Sequence, residues 1–159
     1  MDELSTPDEH GDAGAVTVEN ALRKARAVAE TDDEVVVGCD TVVVLDGLIY
    51  GKPSDEEQAR RTLRRLYGRT HEVTSGVAVL LRGGEERTAV ARTEVTFREL
   101  DEEMLDWYVA TEEWRERAGG YAIQGAGAAL VHSLSGEYEN VVGLPVATLI
   151  DLCPALVGR

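Results

Sequence analysis

The most constraining stretch of the chain is the apolar run VVVGCDTVVVL at residues 35–45, in which one carboxylate interrupts a series of β-branched residues. A run of this kind, closed by turn residues, is typical of a strand buried in a sheet. The carboxylate is Asp40. Because an ionised carboxylate without a partner is costly to bury, Asp40 needs a metal, a cation or a cleft open to water. The run therefore predicts an active-site acid or, as the structural alternative, an Asp that caps a neighbour or marks a bulge.

Length and composition indicate one globular domain over residues 1–159, with 43% hydrophobic and 29% charged residues. No apolar run approaches the ~20 residues of a membrane span, and the acidic start Met1–Leu4 is unlike a secretory signal. We therefore expect a cytoplasmic protein. Cys39 and Cys153 lie far apart without metal-ligand spacing, which predicts reduced thiols.

The formal net charge of −14 argues against binding to nucleic acid, since that affinity comes from neutralising phosphates. A phosphate-bearing ligand would need local cations or a metal. The chain has only two lysines, Lys24 and Lys52, so the setting of each is informative. Lys24 lies beside the apolar face of a predicted helix, where an ordinary solvated lysine is the alternative interpretation.

Local signals predict the elements of the first half of the chain. Thr17 is the expected N-cap of a helix over 18–30, with an apolar face that includes Ala21 and Ala25. Asp46-Gly47 predicts a tight hairpin between the 35–45 strand and a short returning strand. Ser54, followed by Glu57, fits a capping box for a helix that ends near Tyr67 and Gly68. Four arginines on that helix, at positions 60, 61, 64 and 65, form either a phosphate patch or a solvated face with ion pairs.

The second half begins with a predicted long antiparallel hairpin, strands 71–81 and 87–97, turned at Gly83-Gly84. A helix follows from about residue 100 to 109, and then an irregular link. The glycine-dense segment 119–127 can bring backbone close to a ligand but lacks the order of a dinucleotide fingerprint. A strand over 128–131 and a last helix opened by Pro145 complete the prediction.

Several weak motifs now fall into one order. They are Asp2-Glu3, Lys24 on a helix, Gly38-Cys39-Asp40-Thr41, Gly51-Lys52-Pro53, Gly68-Arg69-Thr70-His71, Arg117 to Gly125 with the sequence RAGGYAIQG, and Val141 to Pro145 with the sequence VVGLP. In this order and spacing the chain closely resembles the Maf (septum-formation-inhibitor-like) family of nucleoside triphosphate pyrophosphatases.

The resemblance implies an α/β fold of the inosine-triphosphatase-like kind: a mixed, twisted sheet flanked by helices, with two lobes and a central cleft. It implies an enzyme that cleaves between the α- and β-phosphates of a nucleoside triphosphate, using a divalent cation, Mg²⁺ or Mn²⁺. A homodimer is common among such proteins. The Asp40-Thr41 and Ile123-Gln124-Gly125 pairings look like the subgroup that acts on dTTP and UTP.

The resemblance also implies a role for six positions. Asp40 matches the proton acceptor and a metal ligand, and Glu3 matches a second acidic residue near the metal. Lys24 and Lys52 match the lysines that face the triphosphate. Thr41 and Gln124 match the positions linked to base choice.

The chain departs from the family pattern at its front. Family members carry a strand and a Ser-x-Ser-Pro-Arg-Arg loop about thirty residues before the acidic pair, and here Met1 directly precedes Asp2-Glu3. We expect a chain truncated relative to the family, through a mis-called start or a shortened gene. Without that strand, an edge of the 35–45 strand is expected to be exposed. The alternative function is then an inactive or regulatory nucleotide-binding protein.

Overall fold

The computed structural model describes residues 12–158. The helices are α1 Ala13–Val28, α2 Glu56–Leu66, α3 Glu102–Ala110, α4 Tyr138–Val142 and α5 Val146–Leu152; the strands are β1 Val36–Leu45, β2 Leu48–Tyr50, β3 Thr70–Leu80, β4 Glu86–Phe97 and β5 Val131–Ser135. The five strands form one sheet in the order β2-β1-β3-β4-β5. The predicted α/β class is confirmed. Every pairing among these described strands is antiparallel, so the expected mixed sheet has no parallel pair within residues 12–158.

The strand that carries Asp40 pairs with β3 along almost its whole length, from Val36 opposite Leu80 to Val44 opposite Glu72. Its other edge meets β2 only from Val43 onward. Within the described part of the chain, residues 36–42 therefore have a strand neighbour on one side, in line with the exposed edge expected from the sequence. The hairpin between β1 and β2 turns through two residues with positive φ, as predicted.

Helix α1 starts five residues earlier than predicted. Asp12 is the N-cap, and its carboxylate accepts a hydrogen bond from the backbone N–H of Gly14 at 2.8 Å. Thr17, the predicted cap, lies inside the helix and donates its hydroxyl to the carbonyl of Ala13 at 2.7 Å. The prediction failed because the apolar pattern begins after the first turn. Ala21 and Ala25 are fully buried as predicted, and the other buried residues of α1 are Gly14 and the polar residues Thr17 and Asn20.

Two glycines allow α1 to lie directly on the sheet. A Cβ added at Gly38 would overlap the carbonyl oxygen of Ala21, and one added at Gly76 would overlap the backbone of Thr17 and Val18. The two glycines lie diagonally across the β1–β3 pair, since Gly38 is opposite Ala78 and Gly76 is opposite Asp40. Helix α1 is consequently held within reach of the middle of β1.

Helix α2 closes one side of the main core, which its buried residues Ala59, Leu63 and Leu66 enter as predicted. Its N-cap is Asp55 rather than Ser54, with the carboxylate 2.8 Å from the N–H of Gln58. A charged acceptor is stronger than a hydroxyl at a helix N-terminus, which explains the one-residue shift.

The arginine face of α2 pairs across to α3. Arg64 makes two 3.0 Å hydrogen bonds to Glu102, and Arg60 lies 2.7 Å from Asp106. Neither arginine lines the cleft described below. Of the two interpretations of this face, a solvated surface with ion pairs describes the positions of Arg60 and Arg64.

The segment after the glycine-dense stretch differs from the prediction. Residues 126–130 form a 3-10 turn that includes residues 128–130 of the predicted strand, and the strand β5 begins only at Val131. The short helix α4 was not predicted. Asn140 on α4 is fully buried and donates to the carbonyl of Val73 and to Thr93, so two buried bonds fix α4 against the sheet. Helix α5 begins directly after Pro145, as predicted.

Among residues 12–158, no helix combines the length and the apolar character needed to cross a membrane.

Candidate active site

An open cleft of about 230 Å³ lies between α1 and β1 on one side and two loop segments on the other. Its walls come from elements far apart in sequence. The lining residues include Lys24, Cys39, Asp40, Thr41, Val43, Lys52, Val73, Glu116, Arg117, Tyr121 and Val141 to Gly143. Four of the predicted site residues, Lys24, Asp40, Thr41 and Lys52, are therefore brought together.

The carboxylate of Asp40 is nearly buried, with 5% of its surface exposed, and both of its oxygens accept from α1. The ammonium of Lys24 lies 3.2 Å from Oδ1, and the amide Nδ2 of Asn20 donates to Oδ2 at 2.9 Å. Lys24 also reaches the backbone carbonyl of Cys39 at 3.4 Å. Lys24 therefore supplies a cation for Asp40, which is one of the three kinds of partner expected from the sequence. Each carboxylate oxygen keeps a further lone pair for a metal or a water.

The opposite wall carries charged groups of both signs. The ammonium of Lys52 lies 3.8 Å from the carboxylate of Glu116, and both side chains are exposed at the cleft mouth. Arg117 follows and adds a third cation to the lining. Glu116 holds a positive φ of 59°, which sets the direction in which this segment enters the cleft. The lining therefore holds three cations against two carboxylates, of which only Asp40 is buried, and this excess of positive charge suits a polyanionic ligand.

Thr41 lies one residue beyond Asp40 and is bonded to β3. Its hydroxyl is 2.7 Å from the hydroxyl of Ser75, which is fully buried. Beside it, the thiol of Cys39 donates to the carbonyl of Gly143 at 3.3 Å. Burial raises the pKa of the Cys39 thiol to about 11, and Thr41 opposes that shift only in part. Cys39 is therefore a neutral wall residue and Thr41 a polar one.

Two predicted site residues are not brought into this cleft. Gln124 is exposed and is not among the lining residues. Glu3 lies outside the described residues.

The turn that carries Gln124 is nevertheless held firmly, by residues that the sequence did not single out. Glu113 accepts hydrogen bonds from the backbone N–H groups of Ala126 and Gly127, both at 2.9 Å. Tyr108 joins the same network, since it donates to Glu113 and accepts from the N–H of Ala122, again at 2.9 Å. The backbone is thus bonded on both sides of Gln124. We call this set, Tyr108 and Glu113 with their backbone donors, the Glu113 clamp.

The electrostatics of the Glu113 clamp follow from these contacts. Burial acts to raise the pKa of Glu113, but the N–H groups of Ala126 and Gly127 and the hydroxyl of Tyr108 outweigh it, so the pKa lies below its usual value. Burial also raises the pKa of Tyr108, which keeps its hydroxyl protonated as a donor. A glutamate before a glycine-rich segment could have been noticed in the sequence, but its partners are backbone groups that no side-chain pattern reveals.

The floor of the cleft includes Tyr121, whose hydroxyl lies 2.7 Å from Nε2 of the buried His71. The two rings and that of Phe97 pack edge to face at 4.8 to 5.5 Å between centroids. Burial lowers the pKa of His71 to about 4, so the imidazole is neutral near pH 7. His71 therefore lies behind the cleft wall, bonded to Tyr121, and is not among the lining residues.

The donor set for a metal is small in the described part of the chain. Among residues 12–158, no three His, Cys, Asp or Glu side chains come together. Asp40 fits the needs of Mg²⁺ or Mn²⁺ in one respect: it is a carboxylate that lines an open cleft together with cations. Such ions are commonly held by one or two carboxylates together with substrate phosphates. Asp40 could therefore hold a divalent cation jointly with a phosphate-bearing ligand.

The fold and the cleft define an α/β protein that gathers three cations around a buried carboxylate. The sequence identifies the family more closely: the profile of the family described as Maf-like protein matches residues 1–156. The chain belongs to the Maf family. The resemblance drawn from the motif order is confirmed.

Curated relatives carry one name. A protein of Symbiobacterium thermophilum is 49% identical over 145 residues, which are 90% of this chain and 74% of the relative. One of Pyrococcus furiosus is 43% identical over 139 residues, 84% of this chain and 73% of the relative. One of Bacillus cytotoxicus is 50% identical over 133 residues, 82% and 68% respectively. Each of these three is named dTTP/UTP pyrophosphatase.

Proposed function

We propose that this chain is a nucleoside triphosphate pyrophosphatase that hydrolyses dTTP and UTP to the monophosphate and pyrophosphate. The observation that carries the proposal is the buried acid Asp40, which shares one cleft with Lys24 and Lys52. The names of relatives up to 50% identical support the choice of substrate.

Hydrolysis of a nucleoside triphosphate does not require a covalent intermediate with the protein. Hydrolysis between two phosphates needs an oriented water, a proton acceptor and neutralisation of the charge on the phosphate oxygens. In the proposed mechanism Asp40 orients the attacking water and takes its proton. Lys24 and Lys52 act as point charges on the triphosphate oxygens, because an ammonium on a flexible stem can follow the charge as it shifts toward the leaving pyrophosphate.

A divalent cation, Mg²⁺ or Mn²⁺, completes the proposal. Asp40 and Glu3 would hold it with the phosphates. When bound, such a cation neutralises phosphate charge and acidifies a coordinated water. The net charge of −14 supports a need for it, since a highly acidic chain otherwise repels a triphosphate.

Base choice is assigned to Thr41 and Gln124. A hydroxyl and an amide can each donate and accept, as discrimination at a base edge requires. The support differs between the two. Thr41 lines the cleft, whereas Gln124 is exposed in the turn that the Glu113 clamp holds. For Gln124 the assignment therefore implies that its side chain turns toward the base when the nucleotide binds.

The decisive experiment measures pyrophosphate release from dTTP, UTP, dCTP, CTP, dATP and dGTP, with Mg²⁺, with Mn²⁺ and with excess EDTA. We expect release from dTTP and UTP, little from the purine nucleotides and none in EDTA. Binding of dTTP without release of pyrophosphate would instead support the regulatory nucleotide-binding alternative. Release only from purine nucleotides would overturn the proposed substrate.

We also propose a homodimer and a cytoplasmic location. The resemblance to the Maf family supports the homodimer, and the two free cysteines, Cys39 and Cys153, support the location. Light scattering of the purified chain gives the mass in solution, and fractionation of the producing cells gives the location.

A further inference from the structure

We propose that Asn20 is a positioning residue for the hydrolysis: it holds one oxygen of Asp40 in place while Lys24 engages the triphosphate. The inference rests on the proposed function and on the role given there to Asp40. It concerns a residue that neither the motifs nor the names of the relatives point to.

The geometry places Asn20 and Lys24 on the two sides of the same carboxylate. Asn20 donates to Oδ2 at 2.9 Å, and Lys24 lies 3.2 Å from Oδ1. The two residues are four positions apart on α1, so one helical face presents both donors. The glycines at positions 38 and 76 let this face approach β1 closely enough for both bonds to form. The carboxylate is therefore held in one plane by two chemically different donors.

A buried asparagine in the middle of α1 needs a hydrogen-bond partner. Asn20 is 5% exposed, and the other buried residues of this face include Ala21 and Ala25. Asparagine is a weak helix former, and a buried amide that lacks a partner costs free energy. An apolar side chain would serve packing between α1 and the sheet equally well. Unlike an apolar residue, the amide of Asn20 can donate a hydrogen bond to Asp40.

The two donors respond differently to a polyanion. A triphosphate competes with Asp40 for the ammonium of Lys24, because both are anions within reach of one flexible cation. The amide of Asn20 is neutral and buried, so phosphate has little to gain from it and the bond to Oδ2 is retained. Oδ1 is then available to a metal or to the attacking water while Oδ2 stays bonded. The orientation of Asp40 is preserved at the moment when the ion pair is given up.

The test compares Asn20→Leu with a matched control on the same helix face, Thr17→Val. Thr17 is also buried, and among the described residues its hydroxyl bonds only to the carbonyls of Ala13 and Gly14 within α1, so Thr17→Val removes a buried polar group without touching Asp40. We expect Asn20→Leu to lower kcat for dTTP about tenfold, as for loss of one hydrogen bond to a charged group, with KM changed less than about twofold. Thr17→Val should leave both constants near those of the wild type.

A second variant covers the case in which Asn20→Leu fails to fold. Asn20→Asp keeps the shape of the side chain but replaces the donor by an anion that faces Asp40. Here we expect a larger fall in kcat than about tenfold at pH 8, with a cooperative thermal unfolding transition retained. A role in packing alone predicts the opposite order, since the variant that keeps the shape would be the more active.

Three results separate this inference from the proposed function. If the wild type releases no pyrophosphate from any triphosphate, the proposed function fails. If Asp40→Asn is as active as the wild type, the role of Asp40 fails. If the wild type is active and Asp40→Asn is not, but Asn20→Leu keeps its kcat or loses dTTP binding along with kcat, the positioning role of Asn20 is overturned.

Discussion

The ammonium of Lys24 lies 3.2 Å from Oδ1 of Asp40, on the wall of the cleft that we propose for the triphosphate. The pair joins the proposed proton acceptor to a proposed phosphate-binding cation. A triphosphate that takes up Lys24 must weaken its hold on Asp40, so substrate binding and the availability of the acid are linked. Substituting each residue by itself separates the two roles.

The variant Asp40→Asn is expected to lose pyrophosphate release by at least about 100-fold, because the amide cannot accept a proton from the attacking water. The size and shape of the side chain are kept, but an amide accepts from only one of Asn20 and Lys24, so the thermal unfolding midpoint should fall while unfolding stays cooperative. Pyrophosphate release and circular dichroism measure the two effects. Glu103→Gln on the exposed face of α3, away from the cleft, is the control for loss of one carboxylate. A rate within about tenfold of the wild type would remove Asp40 from the mechanism.

The variant Lys24→Met is expected to raise KM for dTTP about tenfold or more, since a charge-assisted bond to phosphate is lost while the stem of the side chain is kept. Arg23→Met, one position away on the solvent side of α1, is the control, because within residues 12–158 the ion pair of Arg23 is the local one with Glu19. Steady-state kinetics at fixed Mg²⁺ measure both. An unchanged KM with a lowered kcat would show that Lys24 acts on Asp40 rather than on the substrate.

The variant Glu113→Gln is expected to destabilise the fold by about 1–3 kcal/mol, because the N–H of Ala126 loses a charged acceptor in a partly buried site. Urea unfolding measures this loss. If the Glu113 clamp also fixes the turn of Gln124, the ratio of kcat/KM for dTTP to that for dCTP should fall. Glu112→Gln, the exposed neighbour, is the control. Equal losses for every base would contradict a role of this turn in base choice.

Stability is expected to fall on acidification through His71. Because burial lowers the pKa of the folded His71 to about 4 from the ordinary 6.5, the unfolded chain binds more protons between these values. This contribution to the free energy of unfolding is complete above pH 6.5 and is lost as the pH falls toward 4. We expect about 2 kcal/mol of it to be lost between pH 7 and pH 5.

The variant His71→Gln tests this pH dependence, since it can still bond to Tyr121 but does not titrate. Urea unfolding at pH 8, 7 and 5 should show a smaller decrease for the variant than for the wild type between pH 7 and 5. Between pH 8 and 7 the two should change equally. Parallel curves over the whole range would remove His71 as the source.

The sequence predicted what depends on local pattern. The β1 strand, the hairpin at Asp46-Gly47 and the buried face of α2 follow from alternation, turn chemistry and helical spacing. The start of α1 and the strand expected at 128–131 were wrong, because the cap of α1 precedes its apolar pattern and a run of small residues fits a 3-10 turn as well as a strand.

Some residues of the candidate site could be predicted from the sequence and others could not. Asp40 could be found because a charge in an apolar strand is conspicuous, and Lys24 because lysines are rare in this chain. Asn20 could not be found, because its partner lies 20 residues away and depends on how closely α1 meets the sheet. Glu113 was missed because it acts on backbone groups. Long-range geometry, rather than residue type, makes these two residues informative.

The close approach of α1 to the sheet affects how a mutagenesis screen of this protein should be interpreted. At Gly38 and Gly76 even a methyl group would push α1 outward and carry Asn20 and Lys24 away from Asp40. In a saturation mutagenesis screen for activity, these two positions would tolerate as little change as the acid itself, although neither has a side chain to offer a nucleotide. Intolerance there would report the spacing between two elements, and a map of the site drawn from such a screen would overstate its size.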